Sequence, residues 1–260
     1  MNRFGVATLA VLACWAGVVL ALDGAARWWV GGALTVAYLV ALGVGVAFPR
    51  AGFFCRAFCR GDAARRQVAF TFDDGPDPAA TPALLDLLRE QRVPAAFFCI
   101  GQKAQEHPDV VRRAVREGHV VGNHTFRHSP WTNFLSAHGL LREIGRAQDA
   151  LGLVVGRRPR YLRSPVGLTN PRFPGALCRS GTTFIGWDVR SLDRGAAPDA
   201  VVARVCRKAR PGSVLLMHDG GADAEALVEA VSRIIAQLRD RGYAFVALED
   251  MGAGPPYVDG

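Results

Sequence analysis

The chain has 260 residues, half of them hydrophobic, with a mean hydropathy of +0.14 and a formal net charge of +8. No internal repeat, low-complexity tract or long charge run is present, which sets aside repeat and disordered plans. The basic excess does not read as a nucleic-acid surface, because the arginines gather beside an apolar segment and no binding motif accompanies them.

The hydrophobic excess sits at the start. Phe4 to Leu22 carries no charge, and neither does Trp28 to Phe48. At 19 and 21 residues, both are long enough to cross a bilayer core as helices. Asp23 to Arg27 is a tight link between them, so residues 1–48 predict a transmembrane helical hairpin. The alternative for the first segment is a cleaved signal peptide, whose apolar region usually runs about 7–15 residues. Trp28 and Trp29 open the second segment, where aromatic rings suit a membrane interface.

Residues 49–66 read as a basic juxtamembrane linker lying along the membrane surface. Arg50, Arg56, Arg60, Arg65 and Arg66 fit attraction to anionic headgroups and an ordinary topology signal alike. Arg3 precedes the first segment, and the loop between the segments has one Arg and one Asp. The positive-inside rule then puts both ends of the chain in the cytoplasm, as a multi-pass protein of a bacterial-type inner membrane. Cys14 lies within the first segment, and Cys99, Cys178 and Cys206 lie in apolar or amphipathic runs as packing residues. Cys55 and Cys59 fit either a lipidation site or a redox pair.

About 200 residues remain, enough for one domain with a substantial core. A strand from Val68 to Phe72 leads into Asp73-Asp74-Gly75-Pro76. Helices are expected at Thr81–Gln91, Pro108–Glu117, Leu140–Leu151, Pro171–Ser180, Pro198–Ala209 and Ala222–Arg241. Between them lie strands at Ala95–Ile100, His119–Gly122, Tyr161–Leu162, Thr182–Val189, Ser213–Met217 and Tyr243–Leu248. Such alternation implies parallel strands with helices outside, as a barrel or a doubly wound sheet. The polar candidates follow the strands: Asp73 and Asp74, His124, Arg163, Asp193 and His218. In parallel α/β architectures that edge forms the site.

Two adjacent carboxylates repel unless a cation or a proton is shared. One can take a metal while the other does acid–base work; a turn with a helix N-cap is the structural alternative. His124 and His128 stand four apart and share a face if a helical turn starts there. With Asp74 they make a His-His-Asp set with open positions, the pattern of a catalytic zinc or similar divalent site; a surface histidine pair is the alternative. His218 ends an apolar strand and reads as a fourth ligand, a general acid or a core histidine.

Thr71-Phe72-Asp73-Asp74-Gly75, His124-Thr125-x-x-His128, Arg163-x-Pro165, Asp193 and Leu216-x-His218 resemble, in order, the five motifs of polysaccharide deacetylases. These are the NodB-homology domains of carbohydrate esterase family 4, and the resemblance covers roughly residues 67–250, leaving 251–260 as a tail. It implies a distorted (β/α)7-type barrel and metal-dependent removal of N-acetyl groups, usually from N-acetylglucosamine. By that resemblance Asp74, His124 and His128 hold the metal, most often zinc. Asp73 is the base that takes a proton from the attacking water, and His218 protonates the leaving amine. Arg163 holds Asp73 ionised, and Asp193 orients His218 and favours its protonated form. The backbone N–H of Val166 joins the metal in stabilising the oxyanion. Acetate and a free amino sugar result.

The chain departs from the family pattern where Val166 replaces an aromatic residue and where Arg190 and Arg194 stand around the fourth motif. Those changes bear on substrate choice rather than on chemistry. Trp187 reads as a sugar-stacking wall or as core, and Trp131 and Phe134 as a loop reaching towards membrane or a lipid chain. The expected partners are a carbohydrate or lipid-linked amino sugar and membrane lipids, with no protein partner. Removal of another acyl group such as formyl, or an inactive membrane-bound glycan-binding domain, are the competing readings. A binding domain would need neither base nor acid, and an aspartyl phosphatase would want an Asp-x-Asp spacing that Asp73-Asp74 lacks.

Overall fold

The computed structural model describes residues 3–258. Two long helices come first, α1 (Arg3–Ala21) and α2 (Gly24–Ala47). Both are long and apolar enough to cross a membrane by length and composition. They pack as a hairpin. The Trp15 ring packs against Gly31, where a Cβ would come within 2.3 Å of it. Thr8 Oγ1 shares a 2.6 Å hydrogen bond with Tyr38 Oη, and Trp15 Nε1 donates to Thr35 Oγ1 at 3.1 Å. Small residues and interhelical hydrogen bonds of this kind hold helices together where no water drives them.

The remainder is a curled parallel sheet wrapped by helices. Its strands are β1 (Gln67–Asp73), β2 (Ala95–Cys99), β3 (Val120–Asn123), β4 (Tyr161–Leu162), β5 (Thr183–Phe184), β6 (Val189–Arg190), β7 (Ser213–His218) and β8 (Ala244–Phe245). Their order is β5-β4-β3-β2-β1-β7-β6, with β8 paired to the start of β1. The helices are α3 (Ala80–Gln91), α4 (Gly101–Glu106), α5 (Pro108–Arg116), α6 (Ala137–Val155), α7 (Phe173–Ser180), α8 (Pro198–Lys208) and α9 (Ala224–Asp240). This is the distorted (β/α)7-type barrel, preceded by two apolar helices.

Period-2 alternation along β1 sets the site. Phe70 and Phe72 face outward into the main core with Leu84, Leu88, Ile234 and Leu238 of α3 and α9. Ala69 faces the barrel lumen with Phe98, Tyr161 and Val214. Thr71 and Asp73 share that inward parity, so Asp73 stands over the lumen.

Two expectations are corrected. The strand expected over Thr182–Val189 is two short strands, β5 and β6. The chain turns away between them because Gly186 gives its carbonyl to Arg163 and the Asp188 carboxylate takes up Ser213 Oγ and Val214 N. The stretch after the hairpin does not simply lie along a membrane. Phe58 bridges to Ile185, Gly61 N donates to the Gly212 carbonyl, and Arg60 donates to the Pro211 carbonyl. The segment thus fills the seam of the barrel that β5 and β6 leave open.

Candidate active site

Asp73 ends β1 directly opposite His218, which ends β7. Beneath Asp73 lies Arg163, a fully buried guanidinium just past β4. Arg163 Nη1 donates to Asp73 Oδ1 at 2.7 Å and to Thr71 Oγ1 at 2.8 Å. Its other nitrogens donate to the Gly186 carbonyl at 2.9 Å and the Ile185 carbonyl at 3.2 Å, and the cation rests 4.1 Å from the Phe98 ring centroid. Burial lowers the Arg163 pKa, and the Asp73 charge opposes that shift. A buried cation is tolerable here because every face of it is occupied.

Asp74 leaves the strand direction with φ 72, which swings its carboxylate beside that of Asp73 instead of to the opposite face of the sheet. Gly220 makes room for this turn: a Cβ there would lie 2.0 Å from the Asp74 carbonyl oxygen. Asp74 Oδ1 is buried without a hydrogen-bond partner and faces His124 Nε2 at 3.3 Å and His128 Nε2 at 3.1 Å. His124 Nδ1 donates to the Arg163 carbonyl at 2.8 Å, which leaves its Nε2 lone pair for the cluster.

The two histidines do not share a helical turn. Residues 124–128 form a loop, and Thr125 and His128 both take positive φ, 64 and 52. Asn123 fixes that loop by accepting from Thr125 N and donating to the Ile144 carbonyl of α6. The rings still meet, with centroids 4.7 Å apart.

Among the described residues, Asp74, His124 and His128 are a group able to share one metal ion, with ligand atoms within 4.8 Å of one another. An orphaned carboxylate oxygen facing two imidazole nitrogens fits a divalent cation. Burial, then the neighbouring His124, lowers His128 to a pKa of about 4, so at neutral pH it is an uncharged imidazole with a lone pair to offer. Burial alone would raise Asp74; the neighbouring His124, with His128 and His218, outweighs it and holds the carboxyl well below its usual range.

His218 is held by Asp193 in two ways. Its Nδ1 lies 2.7 Å from Asp193 Oδ1, and its backbone N donates to Asp193 Oδ2 at 2.8 Å. Burial would raise Asp193, yet the bonds from His218 bring it below the ordinary carboxylate value. Nδ1 is therefore committed, and Nε2 is the free ring nitrogen of His218.

Val166 sits in the Pro165–Gly167 turn with φ 58, an outlying backbone angle for a β-branched residue. Trp187 is partly buried against the lumen cluster. Its ring supports the same turn, since a Cβ on Gly167 would come 2.1 Å from it. Arg194, exposed on the rim, places its guanidinium on Asp74 Oδ2. Thr71, Asn123, Gly220 and Asp219 are the supporting residues that sequence reasoning assigned no role. Burial, with the Asp73 and Asp74 charges adding, raises the Asp219 carboxyl to about 7, against the hydrogen bond from Thr81. The only sequence cue to Asp219 is its place after His218.

Neither cysteine of the 55/59 pair is a ready thiolate. Both are free, burial followed by the Cys59 charge pushes Cys55 up to about 12, and Cys59 packs on Gly186.

A parallel barrel with a His-His-Asp cluster able to hold a metal ion, a second carboxylate on a buried arginine and a carboxylate-held histidine is the arrangement of groups a metal-assisted hydrolase uses. The family profile described as Polysaccharide deacetylase matches residues 60–185. A peptidoglycan-N-acetylglucosamine deacetylase of Bacillus cereus is 34% identical over 189 residues, covering 72% of this chain and 68% of that protein. A chitooligosaccharide deacetylase of Sinorhizobium fredii is 35% identical over 207 residues, covering 75% of this chain and 96% of that protein. The crystal structure of the Bc1960 peptidoglycan N-acetylglucosamine deacetylase superposes with a TM-score of 0.72 at 32% identity, covering 78% of this chain and 94% of that one. The chain belongs to the polysaccharide deacetylase family, hydrolases of carbon–nitrogen bonds other than peptide bonds.

Proposed function

We propose that this chain is a membrane-anchored, metal-dependent carbohydrate N-deacetylase that hydrolyses the N-acetyl amide of an amino sugar of N-acetylglucosamine type, with residues 67–250 as its catalytic unit. The observation that carries the reading is the convergence of the Asp73–Arg163 pair, the Asp74–His124–His128 cluster and the His218–Asp193 pair on one sheet edge. An amide needs an activated nucleophile, charge stabilisation on oxygen and an acid for a poor leaving group.

Asp74, His124 and His128 would hold a divalent cation, zinc first among the candidates. That ion supplies Lewis acidity towards water and the amide carbonyl. Asp73 accepts the proton of the attacking water, while Arg163 keeps its carboxylate charged and aimed into the cleft. The outlying φ of Val166 is the kind of strain that aims a backbone N–H at a functional point, here the developing oxyanion. His218, with Nδ1 committed to Asp193, gives its Nε2 proton to the departing amine. The products are acetate and a free amino sugar. The test is acetate release from N-acetylglucosamine oligosaccharides by the full chain, with and without added zinc.

The anchor reading rests on the two apolar helices and on their attachment to the rest of the chain. Phe4 packs on Phe53 and Phe54, and Thr169 caps the end of α2. Arg3, Arg50 and Arg56 at the hairpin ends favour a cytoplasmic catalytic domain. A membrane-bound, lipid-linked amino sugar is then the natural substrate. Reporters fused after Gly260 test the side: activity of an externally active reporter would overturn it.

A second reading, removal of a different acyl group, has one observation in its favour. A cavity of about 410 Å³ opens beside His218 between α8 and α9, walled by Val201, Met217, Leu227 and Ala230. Comparing N-formyl, N-acetyl and N-butanoyl glucosamine oligomers decides between them.

A further inference from the structure

The hairpin leaves the barrel from the same edge that carries the candidate site. Thr169 N donates to the Val46 carbonyl at 3.1 Å, and Thr169 Oγ1 donates to the Gly45 carbonyl at 2.9 Å. The last turn of α2 is thereby capped by a residue three positions after Val166. Asn170, next in the chain, donates to the Asn133 carbonyl at 2.8 Å. That bond ties the end of α2 to the loop that carries Trp131 and Phe134. The two rings pack together, centroids 5.9 Å apart, and are 69% and 73% exposed.

The distribution of exposed apolar side chains is lopsided. Beyond the hairpin and Phe48, the described large hydrophobics in the open are Trp131, Phe134, Leu153, Val166, Leu192 and Val258. Trp131, Phe134, Val166 and Leu192 all stand on loops that follow strands, at the edge where α2 departs. Exposed arginines at the same edge, Arg127 and Arg190, match an anionic surface. Aromatic side chains mixed with arginine are what a headgroup layer accepts.

We propose that the rim of the candidate site, with Trp131 and Phe134 as its apolar contacts, lies against the lipid headgroup layer of the bilayer that holds the hairpin. The cleft then opens towards the membrane surface. Its amino sugar reaches Asp73 and His218 from the headgroup layer, carried on a lipid. The inference rests on the anchored-deacetylase reading above and adds the direction from which that site is filled.

The test uses the full chain in nanodiscs of phosphatidylcholine and phosphatidylglycerol. The photoreactive residue p-benzoylphenylalanine is placed at position 131, 134 or 153. Leu153 is 83% exposed near the far end of α6, roughly 25 Å along the helix from its start. On irradiation, positions 131 and 134 are expected to give lipid adducts several-fold above position 153. Equal yields at the three positions, or no adducts at 131 and 134, overturn the proposal.

A second arm keeps it separate from the catalytic reading. The Trp131→Ser/Phe134→Ser protein is expected to hydrolyse soluble N-acetylglucosamine oligosaccharides at the unaltered rate. It should lose several-fold on a synthetic N-acetylglucosamine-phosphate-alkyl lipid embedded in the nanodisc. Equal losses on both substrates overturn the proposal. Inactivity of the unsubstituted protein on both substrates would instead remove the deacetylase reading, while the lipid adducts would still report the docked face.

Discussion

Replacing Arg163 with methionine probes the deepest part of the site. Its guanidinium serves four oxygens: Asp73 Oδ1, Thr71 Oγ1 and the carbonyls of Ile185 and Gly186. Removing one partner of a buried ion pair leaves an uncompensated charge and costs about 3–5 kcal/mol. Arg163→Met should therefore lose about 4 kcal/mol. Asp73→Asn leaves the guanidinium facing a neutral amide and should lose about 2–3 kcal/mol, the size of one charged hydrogen bond. The double variant removes both charges and should be no worse than Arg163→Met alone. The cycle then yields a coupling energy of about 2–3 kcal/mol. The assay is chemical denaturation of the metal-free full chain in detergent micelles, so that ligand binding adds nothing. All three variants should also lose at least about 100-fold in turnover when zinc-loaded. Additivity within about 0.5 kcal/mol would refute the pairing as the feature that supports Asp73.

Three further outcomes are expected. His124→Ala or Asp74→Ala should weaken zinc binding at least about 10-fold by titration calorimetry, and chelation of the unsubstituted protein should abolish turnover reversibly. Gly220→Ala should weaken zinc binding as well, because a Cβ 2.0 Å from the Asp74 carbonyl displaces a ligand without altering any donor. His119 supplies a pH effect away from the metal: burial lowers its pKa from 6.5 to about 4. The unfolded chain takes up that proton first, so stability present above about pH 6.5 is lost as pH falls towards about 4, by roughly 3 kcal/mol. His119→Gln should flatten that part of the stability profile; an unchanged slope between those pH values would contradict the assignment.

The convergence of the candidate site residues was legible because they are motif residues placed at or just after strand ends, and strand ends converge in a parallel barrel. The outward Phe70 and Phe72 and inward Asp73 follow from period-2 alternation alone. The bond from Asp193 to His218 spans 25 positions and came from resemblance, since no local pattern encodes it. The pairing of the stretch after the hairpin with the barrel was not legible. The seam-filling bridge from Phe58 to Ile185 crosses the barrel, so residues 49–66 looked like simple linker. The His124–His128 pairing was read on the condition of a helical turn, which four-residue spacing allows and the loop does not form. Its positive φ angles at Thr125 and His128 give the same convergence by another route. Short α4 escaped notice, as six residues give too little periodicity. The buried Asp219 carries no sequence signal of its burial.

The most direct measurement is acetate released from chitooligosaccharide by the zinc-loaded full chain, compared with Asp73→Asn protein whose bound zinc is quantified in the same sample. The expected result is release of acetate with matching appearance of free amine, and a loss of at least about 100-fold in Asp73→Asn protein that still holds its metal. Undiminished turnover by zinc-loaded Asp73→Asn protein, or no acetate from any soluble or membrane-embedded N-acetylglucosamine substrate, would contradict the assignment.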